Sequence, residues 1–285
     1  MCYNSSMKLT FLGTAAAEGF PAVWCNCKAC RAAKDRGGRN IRTRSQILIN
    51  DDLLLDFPMD TYLHLLQHKL DLSRVETVLI THAHMDHCYP QEFMLHGAPF
   101  AHGMAKPIVH IYGNEHVKER FETALSHEIS PEIAKSVPFT SLHAFDTFNT
   151  QSGYTVTALP AVHTKGEECL IYAVAQGGKT ALLFNDSGIL AESVYERAAK
   201  MGLKFDLVAF DCTYGHRQKG EGRHMGSLDA ANEREKMKKH ALVHENTHYL
   251  LTHFSHNCEL LHDALVEKEA PLGFTVAYDG LTVEL

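Results

Sequence analysis

The sequence predicts a layered α/β protein, because short apolar runs bounded by turn residues alternate with stretches of helical periodicity. Short apolar runs of this kind are typical of β-strands, whereas apolar residues three and four positions apart indicate amphipathic helices. Strands are predicted at residues 9–12, 46–50, 53–55, 75–80, 108–112, 154–159, 170–174, 180–184, 207–210 and 249–251. Helices are predicted at residues 61–69, 115–127, 192–201, 228–239 and 258–268.

Turn and capping residues refine this outline. Asp51-Asp52 lies between two apolar runs and predicts a β-hairpin, and Asp279-Gly280 between two β-type runs is a stronger hairpin signal. Ser227 and Asn257 are predicted to cap the last two helices at their N-termini. No fixed-period repeat, low-complexity tract or long Pro/Gly/Ser linker divides the sequence, so we expect one domain over residues 1–285.

The composition fits a globular protein and disfavours two classes of partner. Of the 285 residues, 45% are hydrophobic, which is ordinary for a chain that buries a sizeable core. The net charge of −7 argues against a broad nucleic-acid surface, which needs clustered Lys and Arg. No apolar run approaches the roughly 18 residues of a membrane span. Residues 7–17 resemble a short signal peptide, but polar residues interrupt them and a first β-strand fits equally well. We expect a cytoplasmic protein.

Histidine is abundant, with 20 residues, and it is clustered. The apolar run 75–80 leads directly into four candidate metal ligands within six residues: His82, His84, Asp86 and His87. Imidazole and carboxylate are common ligands of catalytic first-row metals, and a ligand cluster at a strand end suits an open catalytic site. Adjacent side chains point in different directions, so one ion could hardly use all four ligands, whereas two neighbouring ions could.

Three later positions repeat this arrangement of a polar side chain just after an apolar strand. They are His163, Asp186 and His253. Each one alone is weak evidence, because a surface histidine or a capping aspartate explains it equally well. Together with the first cluster, they supply the ligands that two metal ions still need.

Cysteine is used in two ways. Five residues occur singly and are expected to be small buried apolar side chains: Cys2, Cys88, Cys169, Cys212 and Cys258. Cys25, Cys27 and Cys30 fall within six residues of a predicted loop, a density that favours a structural zinc site. Such a site is closed and tetrahedral, so its fourth ligand must come from elsewhere. A disulfide scaffold is not expected in a His-rich chain of this size.

Residues 82–87 match the signature His-x-His-x-Asp-His, and nearly the whole chain resembles the metallo-β-lactamase superfamily. The resemblance implies a four-layered αββα sandwich with two metal ions at one end, between the sheets. The implied ligands of one ion are His82, His84 and His163. Those of the other are Asp86, His87 and His253, and Asp186 bridges the two ions. Asp56 matches the carboxylate that orients a ligand histidine. An acidic bridge is typical of the phosphodiesterase, ribonuclease Z and thioesterase branches.

The Cys-x-Cys-x-x-Cys segment at residues 25–30 and the phrases at 186–188, 211–212 and 251–256 resemble the PhnP-type phosphodiesterases. These enzymes act on phosphoribosyl 1,2-cyclic phosphate in phosphonate metabolism. The resemblance implies that His256 completes the structural zinc site, with Cys258 as a local rival. It also implies that His224 donates a proton to the leaving oxygen, with Asp86 assisting. A small phosphodiester substrate, zinc or manganese in the active site and a homodimer are further expectations.

Two features depart from that family: a longer middle region, residues 113–148, and a longer basic loop, residues 216–223. Both are expected to border the active site, where Arg217, Lys219 and Arg223 could contact a substrate phosphate. A ribonuclease Z-like enzyme, a thioesterase or lactonase, and a non-catalytic PqqB-like metal- or cofactor-binding protein stay open as alternatives. We favour the phosphodiesterase because all seven ligands are present, and because the thioesterase and lactonase families lack the Cys cluster. The sequence also lacks the Gly/Pro-rich arm and the positive charge that gripping tRNA requires.

Overall fold

The computed structural model describes residues 6–127 and 129–285, so Cys2 lies outside the described residues. The strands in this part of the chain are β1 (Lys8–Gly13), β2 (Gln46–Ile49), β3 (Leu53–Leu55), β4 (Thr77–Leu79), β5 (His110–Gly113), β6 (Phe139–Ser141), β7 (Thr147–Asn149), β8 (Thr155–Pro160), β9 (Leu170–Gln176), β10 (Lys179–Phe184), β11 (Phe205–Asp211), β12 (Val243–Thr252), β13 (Thr275–Val276) and β14 (Leu281–Glu284). The helices are α1 (Lys28–Arg36), α2 (Thr61–His68), α3 (Glu115–Leu125), α4 (Pro131–Ser136), α5 (Glu192–Lys200), α6 (Ser227–Lys239) and α7 (His262–Glu269).

The described strands form two mixed sheets. The first sheet has the order β14-β1-β2-β3-β4-β5-β6, and the second has the order β13-β12-β11-β10-β9-β8-β7. In the first sheet the pairs from β3 to β6 are parallel, and the remaining pairs are antiparallel. In the second sheet β10 to β13 are parallel, and β7 to β10 are antiparallel. The hairpin predicted around Asp51-Asp52 joins β2 to β3, as expected.

Alternating side chains divide the apolar core into layers. On β10, Ala181 and Leu183 face the core between the two sheets, whereas Leu182 and Phe184 pack beneath α5 and α6. The outer face of the first sheet is covered in the same way by Val117 and its neighbours on α3. Helix, sheet, sheet and helix therefore stack as four layers, which confirms the predicted αββα sandwich.

The hairpin predicted at Asp279-Gly280 is wrong. β13 pairs with β12 in the second sheet, whereas β14 pairs with β1 in the first, so this turn crosses from one sheet to the other. The half-buried Asp279 carboxylate accepts hydrogen bonds from the Thr43 backbone N–H at 2.6 Å and from the Thr14 hydroxyl at 2.7 Å. The Asp-Gly pair therefore lies in the connection between the two sheets, and the tertiary hydrogen bonds of Asp279 stabilise this connection.

Three helix starts also differ from the prediction. Asn257 does not cap the last helix, because residues 256–258 form a separate 3₁₀ turn and α7 begins at His262. Ser227 is the first residue of α6, and Gly226 occupies the N-cap position. The cysteine segment was expected to be a loop, but α1 begins within it. Cys27 is the N-cap of α1 and its sulfur accepts from the Cys30 N–H at 3.4 Å.

The longer middle region forms part of the sandwich. Its β6 adds a strand to the edge of the first sheet, and α3 packs its apolar side chains, among them Phe121 and Leu125, against that sheet. None of the helices in the described part of the chain combines the length and the apolar character that a membrane span requires.

Candidate functional site

The topology brings several strand ends to one edge of the sandwich. β3 and β4 are parallel neighbours in the first sheet, and β10, β11 and β12 are parallel in the second. β8 runs in the same direction as β10, because the antiparallel β9 separates them. The carboxyl ends of these strands therefore meet, and each is followed or closed by a polar side chain. These side chains are Asp56, His82, His84, Asp86, His87, His163, Asp186, Asp211 and His253.

The first group of converging ligand atoms consists of His82, His84, His163 and Asp186. His82 Nε2 lies 3.3 Å from Asp186 Oδ2, and His163 Nδ1 lies 3.2 Å from Asp186 Oδ1. His84 Nδ1 lies 3.1 Å from His163 Nε2. All four ligand atoms are within 4.8 Å of one another, so one ion placed among them could contact each.

The second group consists of Asp86, His87, His253 and again Asp186. His87 Nε2 lies 3.1 Å from Asp86 Oδ2 and 3.3 Å from Asp186 Oδ2, and His253 Nε2 lies 3.6 Å from the same Asp186 oxygen. The seven side chains expected from the sequence are thus brought together. Asp186 belongs to both groups, which is the position of a bridging ligand.

Unpartnered nitrogen atoms show that this site fits cations. The Nε2 atoms of His82, His87 and His253 are buried and make no well-aligned hydrogen bond among the described residues, although each lies 3.1–3.6 Å from a carboxylate oxygen. A buried polar atom left without a partner costs about 1–3 kcal/mol. Three such atoms aimed at one carboxylate are therefore expected to have a partner of another kind, and imidazole and carboxylate are the donors that divalent first-row metals take.

Electrostatics keep the carboxylates ionised. Burial alone would raise the pKa of Asp186, but the surrounding imidazoles, His253 foremost, lower that pKa well below its usual range. The pKa of Asp86 is lowered in the same way, with His87 opposing the effect of burial. Burial, reinforced by His87, lowers the pKa of His82, so this ring stays neutral. Ionised carboxylates and neutral imidazoles are the states that bind cations.

Asp56 holds one of the ligand histidines. Its Oδ2 lies 2.7 Å from His87 Nδ1, and its Oδ1 accepts the backbone N–H and the hydroxyl of Thr81, each at 2.9 Å. Burial opposes a charge on His87, but Asp56 and Asp86 raise its pKa well above the usual range. A cation at Nε2 would take the place of that proton, while Asp56 keeps the proton on Nδ1.

Asp211 is a site residue to which the sequence reasoning gave no role. Its carboxylate is fully buried, and its Oδ2 lies 2.9 Å from His224 Nδ1 and 3.5 Å from His253 Nδ1. Its Oδ1 accepts the backbone N–H groups of Thr213 at 2.9 Å and of Met225 at 3.2 Å. The available signal resembles the one used for Asp186, since Asp211 is the polar last residue of the otherwise largely apolar strand β11.

His224 lies at the edge of the cluster. Its Nδ1 lies 2.8 Å from Asp186 Oδ1, in addition to its contact with Asp211. Burial opposes the charged form, but hydrogen bonds to these two carboxylates raise the pKa of His224 to about 11. The described contacts of Asp86 go to His87, so the carboxylates beside His224 are Asp186 and Asp211.

Three of these strand ends share an uncommon backbone conformation. Asp56, Asp186 and His253 have φ angles of 62°, 54° and 60°, in the left-handed region. Few non-glycine residues adopt this region, and Asn, Asp and His are the most frequent of them. The chain therefore turns sharply just beyond each strand.

The ligand groups open into a cleft of about 310 Å³. The lining includes His84, Asp86 and His224 from the cluster, and Glu18, Tyr214, Arg223, Ser255 and Asn257 around it. Arg223 of the basic loop thus borders the site as expected. Among the described residues that line the cleft, none belongs to residues 113–148: α3 of that region packs on the outer face of the first sheet, and its strands lie at the edges of the two sheets.

A separate set of ligand atoms lies beside this cleft. The sulfur atoms of Cys25, Cys27 and Cys30 and a nitrogen of His256 all lie within 4.8 Å of one another. His256 Nδ1 is 3.6 Å from Cys25 Sγ and 3.5 Å from Cys27 Sγ. The Cys30 backbone N–H, helped by His256, lowers the pKa of Cys27 to about 6, which favours a thiolate. Cys258 is outside this set, and its sulfur faces the Leu260 carbonyl at 3.6 Å.

Comparison with known proteins agrees with this fold. Residues 54–254 match the beta-lactamase superfamily domain, a stretch longer than half of the chain, and the chain belongs to that superfamily. The superfamily predicted from residues 82–87 is thereby confirmed.

Three relatives illustrate the likeness. Ribonuclease Z of Staphylococcus saprophyticus subsp. saprophyticus is 30% identical over 119 residues, which are 42% of this chain and 34% of that protein. The match therefore spans about a third of the length of that curated relative. A diphosphatase from the PhnP family has a TM-score of 0.75 and 22% identity, over 98% of this chain and 97% of that one. Zn²⁺-bound PqqB from Methylobacterium extorquens has a TM-score of 0.71 and 20% identity, over 98% and 100%. At these identities the two structures show likeness of fold.

Proposed function

We propose that this chain is a metal-dependent hydrolase that cleaves a small phosphodiester, of the kind represented by phosphoribosyl 1,2-cyclic phosphate. The observation that carries the proposal is the pair of ligand groups that share the buried carboxylate of Asp186. Membership of the beta-lactamase superfamily supports a metal-dependent hydrolase, and the PhnP-family fold supports the choice of a phosphoester.

The two ligand groups would each hold one divalent ion, zinc or manganese, since both suit this donor set. His82, His84 and His163 would hold the first ion, Asp86, His87 and His253 the second, and Asp186 both. When bound, a pair of such ions makes a water nucleophilic near neutral pH and offsets charge on the phosphoryl oxygens.

His224 would protonate the leaving oxygen. Its Nδ1 is engaged by Asp186 and Asp211, so Nε2 is the nitrogen left to face a substrate in the cleft. Cations bound to Asp186 would reduce the electrostatic stabilisation that this carboxylate gives to protonated His224. Asp211 would then be the carboxylate that keeps His224 protonated. A positioned general acid contributes about 10²–10⁴-fold to the rate. The help expected from Asp86 stays a prediction.

The basic loop would recognise the anionic substrate. A Cβ atom on Gly188 would lie 1.8 Å from the Gly222 carbonyl oxygen, so glycine allows this loop to pack against the turn that carries Asp186. The Asp229 carboxylate accepts the backbone N–H of Lys219 at 2.7 Å and so ties the loop to the first turn of α6. Arg223 is thereby held at the rim of the cleft, where its charge attracts a phosphate.

The cysteine set would hold a structural zinc ion, since three thiols and one imidazole make a closed tetrahedral site. Replacing His256 with Ala is expected to release one zinc ion per chain and to lower the thermal midpoint, and Cys258 cannot take its place because its sulfur faces Leu260. Unchanged zinc content in this variant would refute the ligand assignment.

Ribonuclease Z activity is the second candidate, because the curated ribonuclease Z protein of Staphylococcus saprophyticus matches part of the chain. Two observations count against it. The extra middle region packs on the first sheet through Phe121 and Leu125 and so does not form a tRNA-gripping arm. The chain also has a net charge of −7.

A substrate comparison separates these functions. Chelator-treated protein is assayed with and without added zinc or manganese on bis(p-nitrophenyl) phosphate, a thioester, a lactone and a precursor tRNA. We expect metal-dependent turnover of the phosphodiester and none of the thioester or the lactone. Turnover of the thioester or the lactone alone would refute the proposal, and cleavage of the precursor tRNA would favour the ribonuclease. A fully metal-loaded protein that turns over none of them would be a non-catalytic PqqB-like protein.

A further inference from the structure

One carboxylate lies between the cysteine set and the active-site cleft. Glu18 lines that cleft, and its Oε1 lies 3.7 Å from His256 Nε2, within the range of an ion pair. The other ring nitrogen of His256 faces the sulfur atoms of Cys25 and Cys27. The imidazole is therefore placed between a carboxylate on one side and thiols on the other.

Neighbouring residues fix the position of this carboxylate. The Ser255 hydroxyl donates to Glu18 Oε1 at 2.5 Å, and the same hydroxyl oxygen accepts the Asn257 backbone N–H at 3.1 Å. The Glu18 carbonyl accepts the Val23 backbone N–H at 3.1 Å, which holds the chain just before the cysteines. Glu18 is thus tied both to the segment that carries His256 and to the segment that carries the thiols.

The chemistry of imidazole explains how the contact with Glu18 can affect metal binding by His256. A neutral histidine has one N–H and one lone pair, and the hydrogen bond made by one nitrogen decides which nitrogen can bind a metal. Ligand histidines usually donate the remaining N–H to a carboxylate or a carbonyl, which fixes the tautomer and the ring orientation. Binding of a cation at Nδ1 makes the Nε2–H a stronger donor, so we expect the 3.7 Å separation from Glu18 to shorten in the loaded protein.

We propose that Glu18 is a positioning residue for the cysteine set: it accepts the Nε2–H of His256 and so leaves Nδ1 free to complete the metal site. The proposal rests on the structural zinc site proposed above and is independent of the substrate of the active site. The Glu18 carboxylate acts only through His256, since its own oxygen atoms are not among the converging ligand atoms.

Cobalt titration of the full chain tests this role. Cobalt bound by thiolates gives a near-ultraviolet charge-transfer band that cobalt bound by His and Asp lacks, so the band reports the cysteine set alone. We expect Glu18→Ala to weaken cobalt binding at this band by about 10–100-fold, the usual effect of removing the partner of a ligand histidine. Glu18→Gln is expected to stay near the wild-type affinity, because its amide oxygen still accepts the N–H.

Glu259→Ala is the matched control. Its side chain is 81% exposed and lines the cavity beside Cys27 and His256, but its ion pair goes to Arg217. We expect this variant to bind cobalt as the wild type does. Manganese disfavours thiolate ligands, so bound manganese reports the active-site groups alone. All variants should bind as much manganese as the wild type does.

The outcomes are distinguishable. A wild-type band with unchanged affinity in Glu18→Ala would overturn the role of Glu18, whereas a wild type without the band would overturn the cysteine metal site itself. If Glu18→Ala does not fold, the histidine tautomer in the metal-free wild type decides, because zinc at Nδ1 would by itself leave the proton on Nε2. Long-range ¹H–¹⁵N spectra should then show His256 protonated at Nε2, and a proton on Nδ1 would refute the proposal.

Discussion

Replacing Asp56 by Asn would change one proton position in the centre of the site. Asn tolerates the left-handed backbone at this residue, where φ is 62°. Its amide oxygen can still accept both groups of Thr81, so its NH₂ group then faces His87 Nδ1 at the place of the 2.7 Å contact. Two donors cannot face each other, and His87 must therefore move its proton to Nε2, the atom that points to Asp186.

The magnitude follows from this tautomer change. Loss of the partner of a ligand histidine typically weakens metal binding about 10–100-fold, or about 1.4–2.7 kcal/mol. The stabilisation that saturating metal gives to the fold should fall by the same amount, because it depends on the logarithm of the dissociation constant. Asp56→Asn should also lose about 1.5–3 kcal/mol in the metal-free protein, where the contact to His87 is charge-assisted.

The assay combines metal content with thermal unfolding. Metal per chain is measured by elemental analysis after dialysis against a weak chelator, and melting curves are recorded with and without zinc or manganese. Asp60→Asn is the control. Asp60 is also largely buried, and it binds Arg44 through the backbone N–H at 2.8 Å and the guanidinium at 2.9 Å. It should lose stability and keep both active-site metals. Wild-type metal affinity in Asp56→Asn would refute the tautomer reasoning.

Three further predictions concern single side chains. Asp186→Asn keeps the left-handed turn but removes the shared charge, so the variant should lose at least one metal ion and nearly all activity. Elemental analysis and turnover measure these losses, and a variant that keeps its full metal content would contradict the bridging role. His224→Gln should keep both metals and lose about 10²–10⁴-fold in kcat, and a metal-depleted variant would show that it acts as a ligand. Burial lowers the pKa of His64 to about 4, so the unfolded chain binds more protons between that pKa and the usual 6.5. The free energy of unfolding should therefore fall by about 2 kcal/mol from pH 7 to pH 5 on this account, and His64→Gln should show a flatter pH profile in urea titrations; an equal slope would contradict it.

The strands could be predicted because a strand that is buried on both faces appears in the sequence as a short, almost continuous apolar run. Residues 180–184 are apolar almost throughout, as a strand packed between a sheet and helices must be. The local sequence was insufficient where contacts with distant segments decide the conformation of a turn. Asp279-Gly280 has the composition of a hairpin turn, but nothing in it tells that β13 and β14 belong to different sheets. Asn257 is an acceptable N-cap by composition, yet Ser255 and His256 hold this segment in a 3₁₀ turn.

The ligands could be predicted because each one stands just beyond an apolar strand in a sheet with parallel pairs. The parts of the site that escaped prediction depend on contacts between distant segments. Asp211 is the last residue of β11, whereas Asp186 lies two residues beyond β10, and one aspartate at a strand end is too common to indicate a role. Glu18 lies in a turn before the cysteines, and only the fold places it next to His256, 238 residues later.

The sharp turns at Asp56, Asp186 and His253 bear on how such a centre arises. Asn, Asp, His and Gly are the residues that a left-handed strand end accepts most readily, and two of these four, Asp and His, are common ligands of first-row metals. Random substitution at these positions in an ancestral sandwich would therefore have sampled ligands at little conformational cost. A lineage that lost its metals would be expected to drift toward Gly or Asn here while keeping its fold.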